Sequence, residues 1–294
     1  MNYVTLAPGL PPSSRLGFGC GGVMGRVGRS QSLRVIAAAL DGGITHFDLA
    51  RLYGYGEAEA LVGEALRGKR DRVVVASKFG LNPPRSAGAL RALKPLAQKL
   101  AASIPGARSV LRALAGSPTQ PEDRFSVGSA QASLDASLAA LQTDYLDILF
   151  LHDCTAKDLT DELAAFLERQ VAAGKIRAYG AATDIDAVVS LHQTYGNRLI
   201  YQFANGLFTD NAARLAGAGC RVVAHSPFFG AQNLRLDRGD AHRALLAHAL
   251  AASGVDVVLC SMLDEAHLRA NLDAVGQPQF GAEATGELTT LPAA

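Results

Sequence analysis

Short apolar segments alternate with longer amphipathic segments along most of this 294-residue chain. The apolar segments are rich in β-branched residues and end in a polar residue, as in Arg72–Lys78 and Leu146–His152, which is typical of buried parallel strands. The segments between them carry apolar residues at helical spacing, such as Ile36 and Leu40. Eight strands alternate with helices when the segment that begins at Leu16 is counted. This alternation predicts an α/β fold, a closed (β/α)8 TIM barrel of parallel strands.

The start of the chain adds a hairpin and raises an alternative fold. Pro8-Gly9 and Pro11-Pro12 lie between short apolar pieces and predict an N-terminal hairpin before the barrel. Three glycines match the G-x-G-x-x-G spacing of a dinucleotide-binding Rossmann fold: Gly17, Gly19 and Gly22. Asp41 would be its ribose-binding acid, but the fingerprint requires a hydrophobic strand directly before it, and residues 11–15 are a poor one. A first barrel strand is therefore favoured, with an open doubly wound sheet as the alternative architecture.

The insertion at residues 81–125, after the third strand, interrupts the alternation. Its length is unusual for a loop of a compact domain, and Ala89–Ala102 and Ser109–Leu114 are predicted to be helical. Its basic residues include Arg85, Arg91, Lys94, Lys99, Arg108 and Arg112. The insertion is either a solvated loop or a lid over the barrel mouth that attracts an anionic substrate or a cofactor phosphate. Because a barrel needs about 250 residues, a single domain over residues 1–294 accounts for the chain.

Composition narrows the class of protein. The formal net charge is +1 and 49% of the residues are hydrophobic, which argues against nucleic-acid or membrane-surface binding through global charge. Four cysteines are scattered without metal-ligand or disulfide spacing: Cys20, Cys154, Cys220 and Cys260. The amino terminus does not resemble a signal peptide, and no apolar run is long enough to span a bilayer. We therefore expect a cytoplasmic protein with reduced thiols and no membrane partner.

Four polar residues stand where strands end or just after. Asp48 ends one predicted strand and Tyr53 follows it in a turn, while Lys78 and His152 end two further strands. Because the carboxyl ends of all barrel strands meet at one mouth, we expect these side chains to converge there. Each residue alone has a structural explanation as an ion-pair partner, a core histidine or a rim aromatic. Their joint placement at strand ends favours a catalytic site.

The residues around Asp48 and Tyr53 resemble a known family motif. The stretch Gly42–Leu66 is similar to the aldo-keto reductase pattern Gly-Ile-x-x-Phe-Asp-x-Ala-x-x-Tyr-Gly followed by Glu-x-x-x-Gly, which Glu59 and Gly63 complete. The family's catalytic tetrad is matched by Asp48, Tyr53, Lys78 and His152. The resemblance implies an NAD(P)-dependent oxidoreductase that interconverts a small carbonyl compound (aldehyde, ketone or sugar) and an alcohol by hydride transfer.

The tetrad residues then have distinct expected roles. Tyr53 is the candidate general acid and base, but a free phenol has a pKa near 10. A close Lys78 ammonium would lower that pKa, and Asp48 would hold Lys78 charged and in place. His152 would donate a second hydrogen bond to the carbonyl oxygen. Tyr55 does not match the spacing from Asp48 and is predicted to line the pocket.

The cofactor-binding part of the resemblance is less complete. The resemblance implies contacts to a nicotinamide nucleotide from Gly21, Gln202, His225, Ser226, Ser261, His267 and Asn271. Ala182 and Thr183 stand where the family has Ser and Asn for the nicotinamide carboxamide, and His225 stands where an aromatic residue stacks on the ring. Ser261 and His267 replace the Lys and Arg that grip a 2′-phosphate. The cofactor is therefore NADP(H) or NAD(H), with the preference open.

Neighbouring residues bear on that preference. Arg269 is a possible substitute for the missing cations, whereas Asp264 and Glu265 at the predicted helix start oppose a phosphate there.

No metal site is predicted, because four histidines lack metal-binding spacing: His225, His242, His248 and His267. His46 alternates with Asp48 and is predicted to lie inside the barrel. Cys154 is interpreted as a small thiol at the pocket rim, because no group is evident that would orient a base for it.

Two other functions stay open at this point. The altered carboxamide positions and the basic insertion are also compatible with a nicotinamide-sensing or partner-binding regulatory barrel. A non-redox acid-base enzyme, a lyase or isomerase, is the second alternative for the same four residues. The sequence does not predict the oligomeric state.

Overall fold

The computed structural model describes residues 1–84, 120–230 and 238–276. Eight parallel strands close into a barrel in which each strand pairs with the next one along the chain and the last pairs with the first. The two short strands β1 (Tyr3–Val4) and β2 (Ser13–Ser14) pair antiparallel ahead of it. The predicted (β/α)8 barrel and its N-terminal hairpin are therefore confirmed. The basic residues and helical pieces predicted within the insertion lie outside the described residues.

The barrel strands are short and buried on both faces. They are β3 (Leu16–Gly19), β4 (His46–Asp48), β5 (Val74–Phe79), β6 (Leu146–His152), β7 (Ile176–Ala182), β8 (Ile200–Ala204), β9 (Arg221–His225) and β10 (Val257–Cys260). Because Gly17 and Gly19 lie within β3, the Rossmann interpretation of the glycine spacing is wrong. A Cβ at Gly17 would approach the Leu259 side chain to 2.6 Å inside the barrel, which explains the small residue.

Within the described residues, seven helices surround the strands. They are α1 (Arg29–Asp41), α2 (Ala58–Ala65), α3 (Val127–Leu141), α4 (Asp161–Ala172), α5 (Ile185–Tyr195), α6 (Arg238–Ala251) and α7 (Glu265–Gly276). The α3, α4 and α5 helices begin at side-chain caps on Ser126, Thr160 and Asp184. Between β8 and β9 the connection contains only the 3₁₀ turn Asn211–Leu215. None of the helices in the described ranges is long and apolar enough to cross a membrane.

Two apolar clusters hold the fold together. The larger one lies between strands and helices, and the smaller one fills the barrel interior. Leu6 and Leu10 of the N-terminal hairpin pack against interior residues such as Val74 and Ile148. The hairpin therefore closes the barrel floor with apolar side chains, and the interior opens only at the carboxyl ends of the strands.

Candidate active site

A cleft of about 870 Å³ opens at the carboxyl ends of the strands. Inward-facing positions alternate along each strand, and positions at or near the carboxyl ends lie in this cleft: Asp48, Lys78, His152, Ala182, Gln202, His225 and Leu259. Tyr53 enters the cleft from the 3₁₀ turn Tyr53–Gly56 after β4. The structure thus brings the four tetrad residues to one mouth.

Asp48 and Lys78 form a buried ion pair. The Lys78 ammonium donates hydrogen bonds to Asp48 Oδ1 at 2.7 Å, to Asp48 Oδ2 at 2.6 Å and to the Leu49 carbonyl at 2.8 Å. Burial by itself would lower the pKa of Lys78, but Asp48 and then Tyr53 outweigh it and the pKa is raised. Lys78 is therefore protonated around neutral pH, and its ammonium lies at the cleft.

Tyr53 lies directly beside that charge. Lys78 Nζ lies 5.2 Å from the centroid of the Tyr53 ring. Lys78 lowers the pKa of Tyr53 as expected, but burial has the larger effect and the net pKa is raised. Burial raises the pKa of Tyr53 above 10.0, and Lys78 reverses this only in part because Asp48 opposes it. Tyr53 is therefore a neutral proton donor around neutral pH.

A buried polar network holds the turn that carries Tyr53. Glu59, which is 1% exposed, forms an ion pair with Arg51 and accepts a hydrogen bond from Ser77 Oγ at 2.6 Å. Arg51 and Glu59 flank Tyr53 in sequence, and Ser77 precedes Lys78. The network therefore connects the turn that carries Tyr53 to β5, the strand that carries Lys78. Only the Glu59 position of the motif signalled this network in the sequence.

His152 is neutral. Burial and then the Lys78 charge lower its pKa to about 3. Its Nδ1 atom is buried and has no hydrogen-bond partner among the described residues. Nε2 is the other ring nitrogen, and His152 lines the cleft. A neutral imidazole there is able to donate a hydrogen bond without transferring a proton.

His46 lies below Asp48 inside the barrel, as expected. It is fully buried, and its Nδ1 atom lies 2.8 Å from Ser13 Oγ of the hairpin. Burial lowers the pKa of His46 to about 4, since the effects of Asp48 and Lys78 are smaller and opposed. His152 at the cleft and His46 below it are therefore both neutral.

The burial of neutral His46 and His152 predicts that the protein loses stability in acid. Between pH 6.5 and about 4 the unfolded chain protonates His46 and the folded chain does not, so the free energy of unfolding falls as pH falls. The variant His46→Gln should lose stability less steeply as pH falls, with a slope that is smaller than the wild-type slope by about 1.4 kcal/mol per pH unit. Urea unfolding at several pH values measures both slopes. The exposed His267→Gln variant is the control, and equal slopes for wild type and His46→Gln would refute the prediction.

The residues at the predicted carboxamide positions line the cleft, and two of them also bond within the protein. Gln202 lines the cleft, but its Nε2 atom donates to Asp48 Oδ1 at 2.8 Å, a bond that the sequence did not reveal. Thr183 and Ala182 both line the cleft as well, and Thr183 Oγ1 donates to the Cys154 carbonyl at 2.7 Å. The Thr183 hydroxyl is thus already engaged by the protein.

His225 and Ser226 lie at the rim of the cleft, at the end of β9. His225 Nδ1 is 2.9 Å from Ser226 Oγ, and both residues line the cleft. Ser226 has a φ of 59°, an uncommon backbone conformation for a residue with a side chain. Gly21 lies across from the Tyr53 ring, where a Cβ would lie 3.7 Å from the ring. All three predicted positions therefore face the same space.

The predicted adenine-side residues divide into two groups. Ser261 lines the cleft. His267 Nδ1 lies 2.8 Å from an Asp264 carboxylate oxygen, and neither is a cleft residue. Asn271 is buried and its Oδ1 atom contacts His242 Nε2, so the structure does not place it at the cleft. Packing between α6 and α7 determines this contact, and the motif does not encode it.

The remaining candidates carry no chemistry in this geometry. Cys154 is 1% exposed and does not line the cleft, so its interpretation as a rim thiol is wrong. Burial raises its pKa to about 12, which opposes a thiolate nucleophile. Tyr55 is likewise absent from the cleft lining. Among residues 1–84, 120–230 and 238–276, no group of three or more acidic, His or Cys side chains is placed to hold a metal ion.

Comparison with known proteins gives a consistent result. The sequence model of the aldo/keto reductase family matches residues 15–205. Aldo-keto reductase YhdN of Bacillus subtilis is 31% identical over 188 residues, which cover 62% of this chain and 47% of the relative. Methylglyoxal reductase YeaE of Escherichia coli is 28% identical over 242 residues, which cover 79% and 70%. The matched region thus spans about half the length of the first relative and more of the second.

Solved structures agree on the fold. The holo form of aldo-keto reductase AKR11C1 from Bacillus halodurans superposes with a TM-score of 0.70 at 21% identity over 96% of both chains. An aldo/keto reductase from Klebsiella pneumoniae in complex with NADP and acetate has a TM-score of 0.61 at 25% identity, over 90% of this chain and 86% of that one.

Proposed function

Because the chain belongs to the aldo-keto reductases, a family of oxidoreductases, we propose that it interconverts a small carbonyl compound and an alcohol with a nicotinamide cofactor. One observation carries the proposal: a neutral phenol, a paired ammonium and a neutral imidazole share one cleft, in Tyr53, Lys78 and His152. A proton donor beside a fixed positive charge is what a carbonyl oxygen needs as it gains negative charge.

The cleft fits the nicotinamide half of such a cofactor. Gly19 and Gly21 leave a wall without side chains, and a Cβ on Gly21 would lie against Tyr53. His225, Ser226 and the side-chain carbonyl of Gln202 lie across that space. His225 would stack on the nicotinamide ring, and the Gln202 carbonyl would hold its carboxamide. When bound in its reduced form, the cofactor supplies the hydride. Ser261 extends the lining towards the nucleotide's other half.

The chain's own residues provide the proton and the charge. Tyr53 donates its phenolic proton to the substrate oxygen, and Lys78 stabilises the phenolate that remains. Asp48 keeps the ammonium charged and oriented through two hydrogen bonds. His152 donates the second hydrogen bond to the same oxygen from its cleft-facing nitrogen.

A turnover assay tests this function. The purified protein is mixed with NADH or NADPH and a panel of aldehydes, ketones and sugars, and nicotinamide absorbance is followed. The panel includes methylglyoxal, because one relative is named for its reduction. We expect turnover that is lost in Tyr53→Phe. Turnover that does not depend on Tyr53, or none with any substrate, would contradict the proposal.

The nucleotide preference follows from charges at the start of α7. Arg269 donates to the Glu265 carbonyl and lies 3.6 Å from the Glu265 carboxylate, while His267 pairs with Asp264. Both candidate cations are thus engaged by carboxylates, and Ser261 brings none. We propose that NADH binds better than NADPH.

Removing one carboxylate should weaken that preference. Asp264 Oδ1 accepts the His267 backbone N–H at 2.8 Å, a helix cap that serine also forms. We expect Asp264→Ser to tighten NADPH binding roughly two- to fivefold and to leave NADH binding unchanged. Fluorescence titration measures both affinities, with the exposed Asp273→Ser on the same helix as control. Equal gains for both nucleotides, or for both variants, would contradict the charge explanation.

A further inference from the structure

Gln202 spans the barrel to reach Asp48. Its strand β8 lies four places from β4 in the closed ring of eight, so the two residues come from opposite walls. The Gln202 Nε2 atom lies 2.8 Å from Asp48 Oδ1. Gln202 is 2% exposed and Asp48 is 4% exposed. The amide must present its nitrogen there, because its oxygen and a carboxylate are both acceptors.

This bond completes the set of donors around Asp48. Lys78 donates to both carboxylate oxygens, and Gln202 adds a third hydrogen bond, to Oδ1. The carboxylate is therefore fixed between the cation of β5 and the amide of β8. A buried carboxylate that is held by several donors keeps one orientation, and its partner cation is held with it.

We infer that Gln202 is a positioning residue of the acid-base machinery, which orients Asp48 and moderates the negative charge that Asp48 presents to Lys78 and Tyr53. The inference rests on the proposed function for its catalytic meaning, but the contact network itself does not depend on it. The role differs from the carboxamide contact that the sequence suggested, since one amide N–H is used within the protein.

The contacts around Asp48 predict in which direction the pKa of Tyr53 changes when Gln202 is removed. Asp48 raises the pKa of Tyr53 and Lys78 lowers it. Without the Gln202 donor, the carboxylate is less neutralised and less fixed, so it screens the ammonium from the phenol more strongly. The phenol should then be harder to ionise.

The first experiment measures this ionisation without using enzymatic activity. Difluorotyrosine is placed at position 53, where its ring fluorines lower the phenol pKa into a convenient range, and ¹⁹F NMR follows the titration. We expect Gln202→Met to raise the phenol pKa by roughly 0.5 to 1 pH unit. Tyr201→Phe is the matched control, because it removes one hydrogen bond of the same strand, to the Gly196 carbonyl, far from the site. An unchanged titration in Gln202→Met would overturn the inference.

A second variant separates positioning from cofactor contact. Glu at position 202 donates to Asp48 only when protonated, so Gln202→Glu should approach wild-type kcat at low pH and lose about tenfold or more as pH rises. Gln202→Met also removes the side-chain carbonyl that is proposed to hold the carboxamide, so NADH affinity should fall as well, and positioning requires that the phenol titration shift with it. A weakened NADH affinity with an unmoved phenol titration would assign Gln202 to the carboxamide alone. If wild type reduces no carbonyl, the proposed function fails, while the ¹⁹F titration still tests the network.

Discussion

Tyr53→Phe is expected to lower kcat by about 10³-fold or more while nucleotide binding persists. The variant removes the only group in the described cleft that carries a transferable proton beside Lys78, and a positioned general acid contributes typically 10²- to 10⁴-fold. The ring remains, so the cleft wall opposite Gly21 keeps its shape. Steady-state kinetics and a fluorescence titration with NADH measure the two quantities.

The matched control is Tyr55→Phe, two residues along the same turn. Tyr55 does not line the cleft, so this variant should keep kcat within about threefold, whereas a lost general acid costs 10²-fold or more. The reverse pattern, with Tyr55 essential and Tyr53 dispensable, would reassign the proton donor. Retention of full activity by Tyr53→Phe would remove the acid-base role altogether.

Lys78→Met should impair both stability and catalysis. The substitution leaves the Asp48 carboxylate buried without its cation, which costs roughly 3 to 5 kcal/mol of unfolding free energy. It also removes the charge beside Tyr53, so kcat should fall about 10²- to 10³-fold. Urea unfolding and steady-state kinetics measure the two losses. Lys175→Met is the control, because Lys175 pairs with Asp135 at 3.6 Å on the surface and contributes little.

A double variant distinguishes a structural pair from a catalytic one. Asp48→Asn combined with Lys78→Met removes both buried charges, so it should regain much of the stability that Lys78→Met loses. Activity should stay low, because nothing then stabilises the Tyr53 phenolate. Recovery of activity together with stability would show that the pair serves only folding.

The barrel was predictable because its signals are local. Each strand is a short apolar run, and in β5 and β6 the polar residue that enters the mouth stands at or next to the strand's end, as Lys78 and His152 do. Strand direction alone then places these residues at one rim. The resemblance to the aldo-keto reductases rested on such local spacing around Asp48 and Tyr53, and the family assignment confirms it.

The parts of the site that the sequence did not predict depend on packing over long distances. The reach of Gln202 to Asp48 depends on which strands oppose each other after closure, and a sequence separation of 154 positions gives no such information. The pKa of Tyr53 depends on the balance between burial and the Lys78 charge, which spacing does not fix. Asn271 was assigned to the nucleotide from a motif, but its contact with His242 depends on how α6 packs on α7.

Direct transfer of a hydride tests the central claim most sharply. The protein is incubated with NADH that carries deuterium at the nicotinamide C4 position and an aldehyde that the turnover assay identifies, and the alcohol is analysed by mass spectrometry. We predict deuterium on the former carbonyl carbon with wild type and none above background with Tyr53→Phe. An alcohol without deuterium, or equal labelling by both proteins, would contradict nicotinamide-dependent reduction with Tyr53 as the acid.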